Sequence, residues 1–200
     1  MGTCCSDPQD RHLPTIAMDN FIRRLISPPA KKISEISGFI QAGSTVADVG
    51  CGPGYFTIPI AELLGPKGRV YALDSNPEAV LVLNAKSVER SLQGVIDARV
   101  GSAAGMKEIA DASVDFVFAN GVLCCMADHR GAIAEIKRIL KPTGYAYLSV
   151  TKVYRRKDQR AVRKEEWSQI LEEFKVEDSH EGLLNRWAIV SAGAVTAKEP

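Results

Sequence analysis

The sequence predicts an α/β protein with a doubly wound, Rossmann-like sheet. Two observations predict it. Short strand patterns alternate with helical patterns, at 44–50, 69–74, 95–100, 113–120 and 145–150, and such alternation implies parallel strands joined by right-handed crossovers. The last two strand patterns, 174–180 and 186–192, are only five residues apart. That gap is too short for a crossover helix, so we expect an antiparallel hairpin at the end of the chain.

Helical patterns fill the remaining intervals. They cover 55–64, 77–90 and 129–140, with a short helix near 105–110 and a charged helix near 158–173. Before the first strand, 15–26 and 31–41 have apolar residues at helical spacing, and prolines or a glycine follow each. We therefore expect a flexible tail over 1–14, one domain over 15–193 whose helices at 15–43 cover the site, and a second tail over 194–200.

Composition narrows the class of protein. The chain has 200 residues, of which 46% are hydrophobic and 24% charged, with a formal net charge of +1. This is ordinary globular composition, and the balanced charge argues against stable nucleic-acid binding. We expect no transmembrane segment, because apolar runs of about 20 residues are lacking, and no signal peptide, because the sequence has no such segment before a small-residue cleavage site.

The five cysteines indicate a reducing, cytoplasmic home. They occur as Cys4-Cys5, Cys51 and Cys124-Cys125, a pattern that suggests neither a disulfide framework nor CxxC metal spacing. The first six residues, "MGTCCS", fit an N-myristoylation pattern with two adjacent palmitoylation candidates. The alternative is a plain disordered terminus.

The glycine-rich segment "VADVGCGPG" at 46–54 contains the first candidate site. In an open α/β sheet, ligands bind at the carboxyl ends of the strands. A dinucleotide needs GxGxxG with N–H groups aimed at its pyrophosphate, but the third glycine position is Tyr55, and Pro53 has no N–H. Asp48 would repel a pyrophosphate and attract a cation. The expected ligand is therefore positively charged here and has no pyrophosphate.

A second acid, Asp74, ends the second strand, twenty residues beyond Gly54. A carboxylate there accepts both hydroxyls of a ribose, each charge-assisted bond being worth about 1.5–3 kcal/mol. A nucleoside with a cationic group on its other end fits both acids, and S-adenosylmethionine matches that description. The alternative is a glycine turn of another α/β protein in which Asp48 and Asp74 only cap helices.

These motifs resemble class I S-adenosylmethionine-dependent methyltransferases, and within them the branch related to ubiquinone/menaquinone C-methyltransferases. The resemblance covers about residues 30–193 and rests on "VADVGCGPGYFTIPIAE", "VYALDSNPEAV", "ARVGSAAGM", "VDFVFANGVL" and "EIKRILKPTGYAYLSV". It implies a seven-stranded sheet of order 3-2-1-4-5-7-6 with strand seven antiparallel. It also implies methyl transfer to a small-molecule acceptor, with S-adenosylhomocysteine as the product of the cofactor.

The resemblance also implies the residues that bind the cofactor. Asp48 and the glycine loop would surround the methionine portion, Asp74 the ribose, and the positions after strands two to four the adenine and the reacting end. The complete set is Asp48, Gly50, Cys51, Gly52, Gly54, Tyr55, Asp74, Ser75, Gly101, Ser102, Ala103, Asn120 and Gly121. Many relatives have "GDA" where this chain has "GSA", so Ser102 offers the adenine a neutral hydroxyl instead of a carboxylate.

Three further features have competing interpretations. His129 is a candidate proton acceptor, or a residue in the first turn of a solvent-facing helix with Asp128 as its N-cap. Cys124 and Cys125, with Cys4 and Cys5, would suit a soft metalloid such as arsenite, or are small buried residues. The segment 151–164 has seven basic residues and one acid, and either guides an anionic substrate or is the solvated face of a helix balanced by the glutamates that follow.

Two rival functions remain open from the sequence. One is a protein that keeps the cofactor fold but has no catalysis of its own, such as a subunit of a larger assembly. The other is a nicotinamide-dependent oxidoreductase, which Asp48, Pro53 and Tyr55 disfavour. The lack of a conspicuous triad does not weigh against methyl transfer, because positioning alone supplies about 7–11 kcal/mol to such a reaction.

Overall fold

The computed structural model describes residues 28–155 and 157–192. Within them, seven strands form one sheet of order β3-β2-β1-β4-β5-β7-β6. The strands are β1 Thr45–Val49, β2 Arg69–Asp74, β3 Ile96–Val100, β4 Val114–Asn120, β5 Leu140–Thr151, β6 Lys175–Glu181 and β7 Asn185–Ser191. The first five strands pair in parallel, and β7 runs antiparallel to both β5 and β6. The predicted fold class, strand order and terminal hairpin are confirmed.

Helices cover both faces of the sheet. They are α1 Pro29–Ile36, α2 Thr57–Leu64, α3 Pro77–Glu89, α4 His129–Ile139 and α5 Lys164–Glu172. Side chains alternate between the faces along each strand, so Val46 joins one apolar cluster with α1, α2 and α3, and Ala47 joins a second with α4 and α5. Because all strands but the outermost are covered on both sides, they read as continuous apolar runs.

The first of these helices is fixed to the sheet by a polar contact as well as by packing. Lys32 donates to the Tyr147 hydroxyl at 2.7 Å, and Tyr147 stacks between Phe118 and Trp187 with ring centroids 5.1 and 5.7 Å away. Lys32 in α1 contacts Tyr147, whereas Phe39, after α1, contacts Tyr145, two residues further from the carboxyl end of β5. The start of α1 therefore lies towards the carboxyl edge, where the candidate site is.

The short helix predicted near 105–110 is wrong, and the segment forms turns instead. Side chains of α4 bind the backbone of this segment in its turn conformation. Glu135 accepts from the Met106 N–H at 2.6 Å, and Arg138 donates to the carbonyls of Met106 and Ile109, each at 2.9 Å. These bonds hold the segment as turns against α4.

Several predicted boundaries also differ. The helix predicted over 31–41 is Pro29–Ile36, and β5 begins at Leu140, within the predicted helix 129–140, with a register shift beside Val114. The helix predicted from 158 begins only at Lys164, because the Asp158 carboxylate accepts from the Arg160 N–H in a local turn. The predicted helix 15–26 and the predicted tails lie outside the described residues. No helix within the described ranges has the length and apolar character that crossing a membrane requires.

Candidate functional site

The carboxyl ends of four strands meet at one edge of the sheet. The Gly50 N–H donates to the Leu73 carbonyl at 2.8 Å, which joins the turn after β1 to the end of β2. The Gly101 N–H donates to the Asp74 carbonyl at 3.0 Å and joins the turn after β3. A Cβ on Gly50 would lie 2.9 Å from the Val122 side chain, so the turns after β1 and β4 are in contact. The sheet therefore brings together the four loops that the sequence singles out.

The N–H groups of the glycine loop are all engaged within the protein. Those of Gly50 and Cys51 share the Leu73 carbonyl, and that of Gly54 donates to the Cys51 carbonyl at 3.2 Å. The Gly52 N–H donates to Asp74 Oδ2 at 2.8 Å, and Pro53 has no N–H. A pyrophosphate-binding loop needs such groups directed at the ligand. This loop is built for a different ligand.

Asp48 is a buried carboxyl at the end of β1. It is 3% exposed and accepts a hydrogen bond of 2.6 Å from Thr57 Oγ1, at the first position of α2. Burial raises the pKa of Asp48 to about 7, with Asp74 adding to the rise and Thr57 opposing it. A cation beside the carboxyl would stabilise its ionised form and lower the pKa again.

Asp74 ties two loops together through its carboxylate. Oδ2 accepts from the Gly52 N–H, and Oδ1 accepts from the Asn76 N–H at 2.8 Å. Asn76 in turn caps α3 by accepting from the Glu78 N–H at 3.0 Å. Each carboxylate oxygen has a second acceptor site beyond these bonds. The arrangement fixes the carboxylate's position and leaves capacity for two hydroxyl donors.

The loop after β3 is shaped by its own serine. Ser102 Oγ accepts from the Ala104 N–H at 3.2 Å, and the Ser102 carbonyl accepts from Gly105 at 3.1 Å. Ala103 is 8% exposed, and Gly101 lies so close to Leu73 that a Cβ would be 2.9 Å from it. The serine that replaces the usual carboxylate therefore folds this turn, and its hydroxyl proton remains to be donated. Ser75, at the end of β2, is half-buried beside this loop.

Asn120 and Gly121 end β4 beside β5. Asn120 Oδ1 accepts from Ser149 Oγ at 2.8 Å, and the Gly121 N–H donates to the Ser149 carbonyl at 3.1 Å. A Cβ on Gly121 would meet nothing within 4 Å. The backbone at Gly121 is therefore open to a ligand, while the Asn120 amide is held at a fixed angle.

Two residues of the predicted set face the protein interior. Cys51 is 6% exposed, and burial, followed by the nearby Asp48 and Asp74, raises the pKa of its thiol well above the usual value. Tyr55 is 5% exposed, and its ring packs edge-on against Phe56 with centroids 4.9 Å apart. Their side chains support the loop, and any contact with a ligand would come from the backbone.

His129 is buried and paired, contrary to the interpretation that it faces solvent. It is 6% exposed at the first position of α4, with Asp128 as the N-cap, accepting from Gly131 as predicted. His129 Nδ1 lies 2.6 Å from Glu166 Oε1, in the first turn of α5. Its Nε2 is buried and has no hydrogen-bond partner among the described residues. The imidazole is thus oriented by a carboxylate, with one nitrogen left over.

The cysteine pair and the basic segment are only partly as expected. Cys124 donates to the Gly121 carbonyl with Sγ 3.1 Å away, and both thiols are half-buried. The described part of the chain contains no group of three His, Cys, Asp or Glu that would hold a metal, and Cys4 and Cys5 lie outside it. The basic segment is mostly a loop before α5, so its interpretation as a helix face is wrong.

Three side chains of this edge were not found from the sequence. Thr57 binds Asp48, Val122 packs on Gly50, and Glu166 orients His129. Thr57 could have been predicted from the sequence, because it is a polar residue at the start of the helix that follows the glycine loop. Glu166 could not have been predicted, because it is one of several glutamates in a charged segment.

Comparison with known proteins agrees with the geometry. Residues 47–148, just over half of the chain, match the family described as "Methyltransferase domain". The chain is 33% identical over 105 residues to a demethylmenaquinone methyltransferase of Lactobacillus johnsonii, covering 52% of this chain and 43% of that protein. It is 29% identical over 127 residues to a human thiol S-methyltransferase, covering 62% of this chain and 50% of that protein.

A solved structure of a SAM-dependent methyltransferase from Aquifex aeolicus superposes with a TM-score of 0.74 at 25% identity. That match covers 87% of this chain and 94% of that one, whereas the chain spans half or less of the two curated relatives. The family match, the strand order and the loop that engages its own N–H groups agree with one another. The chain belongs to the methyltransferase domain family, the class I proteins whose cofactor is S-adenosylmethionine.

Proposed function

We propose that this protein transfers a methyl group from S-adenosylmethionine to a small-molecule acceptor. The observation that carries the proposal is the pair of carboxyl groups, Asp48 and Asp74, at the ends of adjacent strands around a loop that directs no N–H outward. Such a loop suits a ligand with hydroxyls and positive charge and does not suit a diphosphate. The cofactor of the family has those groups.

The residues of the four loops would divide the ligand among them. Asp74 would accept the ribose hydroxyls with its two remaining acceptor sites. Asp48 would stabilise the cationic methionine portion together with the loop Gly50–Gly54, and Asn120 and Gly121 would border its reacting end. The adenine would lie by Ser75 and the turn Gly101–Ala103, where Ser102 would donate or accept only as a hydroxyl.

The protein's own part in the chemistry is chiefly alignment. When bound, the sulfonium supplies a methyl carbon that is already activated for in-line displacement. Holding the acceptor atom opposite the leaving sulfur is worth about 7–11 kcal/mol in well-oriented reactions. A proton acceptor is needed only when the acceptor atom starts protonated, and His129, oriented by Glu166, is the candidate for that step.

The named activities of the relatives support a small acceptor. One relative methylates a demethylmenaquinone and another a thiol, according to their names. The described residues do not include an inserted lid domain, and α1 lies towards the site edge. We therefore propose an acceptor from the small apolar or thiol-bearing metabolites, in the reducing cytoplasm that the cysteine pattern predicts.

Methyl turnover tests the proposal. The full chain would be incubated with methyl-labelled S-adenosylmethionine and a panel of quinones, thiols, arsenite and RNA. Label transferred to a quinone, a thiol or another small metabolite supports it, whereas label in RNA alone contradicts the small-molecule class. Tight cofactor binding with no transfer to any member of a broad panel would favour the protein without its own catalysis.

A further inference from the structure

Three aliphatic side chains are exposed together beside the end of β5. Leu183, Leu184 and Val153 are 88%, 63% and 65% exposed. Leu183 and Leu184 lie in the turn between β6 and β7, and the Leu184 carbonyl accepts from the Lys152 N–H at 2.8 Å. We call Val153, Leu183 and Leu184 the apolar tip. Exposed aliphatic groups gathered in one place, unlike scattered single ones, mark a surface that contacts something apolar.

The apolar tip lies at the same edge of the sheet as the candidate site. Thr151, the last residue of β5, pairs with Asn185, the first residue of β7. The parallel strand β4 ends beside β5, where Asn120 pairs with Ser149. A surface that contacts the apolar tip would therefore lie next to the carboxyl edge of the sheet, where the candidate cofactor site is.

Basic residues lie beside the apolar tip, with Lys152 hydrogen-bonded to Leu184 and others sharing a cavity with Val153. We call residues 152–155 and 157–163 the cationic loop; its only acid is Asp158, whose side chain is 6% exposed and paired with Arg160 at 3.0 Å. The loop borders an open cavity of about 740 Å³, lined by Val153, Tyr154, Arg155, Lys157, Asp158 and Arg160. The nearby Glu181 is neutralised by Lys152 at 3.1 Å and Arg186 at 3.6 Å. The exposed charge beside the tip is thus positive.

We propose that the apolar tip and the cationic loop dock this protein on an anionic phospholipid bilayer. Aliphatic side chains enter the boundary between headgroups and acyl chains, and lysine and arginine are attracted by the negative surface of the leaflet. Each contribution alone gives weak binding, so the proposal depends on the apolar tip and the cationic loop lying side by side. Charge complementarity selects lipid phosphates over neutral headgroups. The proposal does not depend on methyl transfer and holds for an inactive protein as well.

Vesicle flotation of the full chain tests the apolar part. We expect binding to vesicles of phosphatidylcholine with phosphatidylglycerol and little binding to phosphatidylcholine alone. The double variant Leu183→Asp/Leu184→Asp should lose about tenfold or more of that binding, because both tip leucines are replaced by anions. The matched control is Leu81→Asp/Val88→Asp, which changes two aliphatic residues 69% and 63% exposed on α3. That helix packs against β2 and β3, at the opposite end of the strand order from the apolar tip. Melting temperatures of both variants should stay near that of the parent.

The charge part is tested with Arg155→Glu/Lys157→Glu, and Lys67→Glu in the turn before β2 as its control. The first should weaken binding about tenfold and the control should not, and added salt should weaken binding of the parent.

Equal binding of the parent and the Leu183→Asp/Leu184→Asp variant, or no binding of the parent to anionic vesicles, would overturn the proposal. So would a dimer that the leucine variant converts to monomer without any vesicle binding. RNA binding lost in the charge variant, with vesicles ignored, would assign the loop to nucleic acid and also overturn it.

Discussion

Asp48 is a buried carboxyl whose ionised form costs stability. An aspartate in the unfolded chain has a pKa near 3.8, while burial raises the pKa of folded Asp48 to about 7. Because the folded state holds the proton more tightly, stability conferred by the protonated group falls as the pH rises from about 4 to about 7. A buried carboxyl with such a cost is expected where a cationic ligand binds.

Asp48→Asn should therefore stabilise the ligand-free protein. The amide resembles the protonated carboxyl and still accepts from Thr57, so we expect a gain of roughly 2–4 kcal/mol in the free energy of unfolding at alkaline pH, and almost none at acid pH. Urea denaturation across pH measures it. A variant that is less stable than the parent at alkaline pH would contradict this account of Asp48.

Cofactor affinity should depend on pH through the same carboxyl. The ionised form attracts the cationic methionine portion, so affinity should fall up to about tenfold for each pH unit below 7. Thr57→Val removes a hydrogen bond that favours the ionised form and should move the midpoint to higher pH. Calorimetric titrations at several pH values measure both effects. A flat profile in the parent would remove Asp48 from the binding site.

His129 and Glu166 are tested by their effect on rate. If His129 accepts the acceptor's proton, His129→Gln should lower kcat by about 10²- to 10⁴-fold while KM for the cofactor stays constant. Glu166→Gln should shift the acidic limb of the pH–rate profile, which a purely structural role would not do. Steady-state kinetics with any acceptor found by turnover measure this. An unchanged kcat in His129→Gln would make the pair a structural contact between α4 and α5.

The glycine turns allow a prediction at the level of elements. Gly54 and Gly121 both have positive φ, 87° and 74°, so alanine is strained at either position by about 1 kcal/mol. A Cβ on Gly54 would also lie 2.5 Å from the Leu83 side chain of α3, whereas one on Gly121 meets open space. We expect Gly54→Ala to cost about 2–4 kcal/mol of stability and Gly121→Ala about 1 kcal/mol. Thermal unfolding of the two variants compares them directly.

For cofactor binding we expect the Gly121 position to matter more than it does for stability. The open face of Gly121 is a place that the ligand is proposed to occupy, so Gly121→Ala should weaken cofactor binding more than its small effect on stability suggests. If Gly54→Ala instead left stability unchanged, the close packing of the glycine loop on α3 would be wrong.

The elements that the sequence predicted well are those with strong periodicity. The strands β1, β2 and β4 are apolar runs with an acid or an amide at the last or second-last position, and their bounds agree with the prediction within one residue. The prediction of a helix near 105–110 was wrong because the backbone of that segment binds Glu135 and Arg138, which belong to a helix far along the chain. Local propensity cannot report a partner of that kind. For the same reason the sequence did not predict the pairing of His129 with Glu166.

At the scale of the whole molecule, the topology makes the site. Strand alternation and a short final gap were enough to predict the sheet, and the sheet then places the loops at one edge. The chemistry of Asp48 and Asp74 was readable because acids are unusual at the ends of buried strands. Their exact hydrogen bonds were not readable, since these depend on the turns that only the folded chain brings together.

Calorimetry on the full chain and on Asp74→Ala tests the central claim most directly, that a nucleoside with a cationic tail lies across the ends of β1 and β2. We expect S-adenosylmethionine and S-adenosylhomocysteine to bind the parent and NAD not to bind. Asp74→Ala should weaken the first two about a hundredfold or more, because two charge-assisted bonds are lost, while Asp111→Ala, at a side chain 78% exposed, should not. Binding of NAD alone, or unchanged affinity in Asp74→Ala with the fold intact, would contradict the claim.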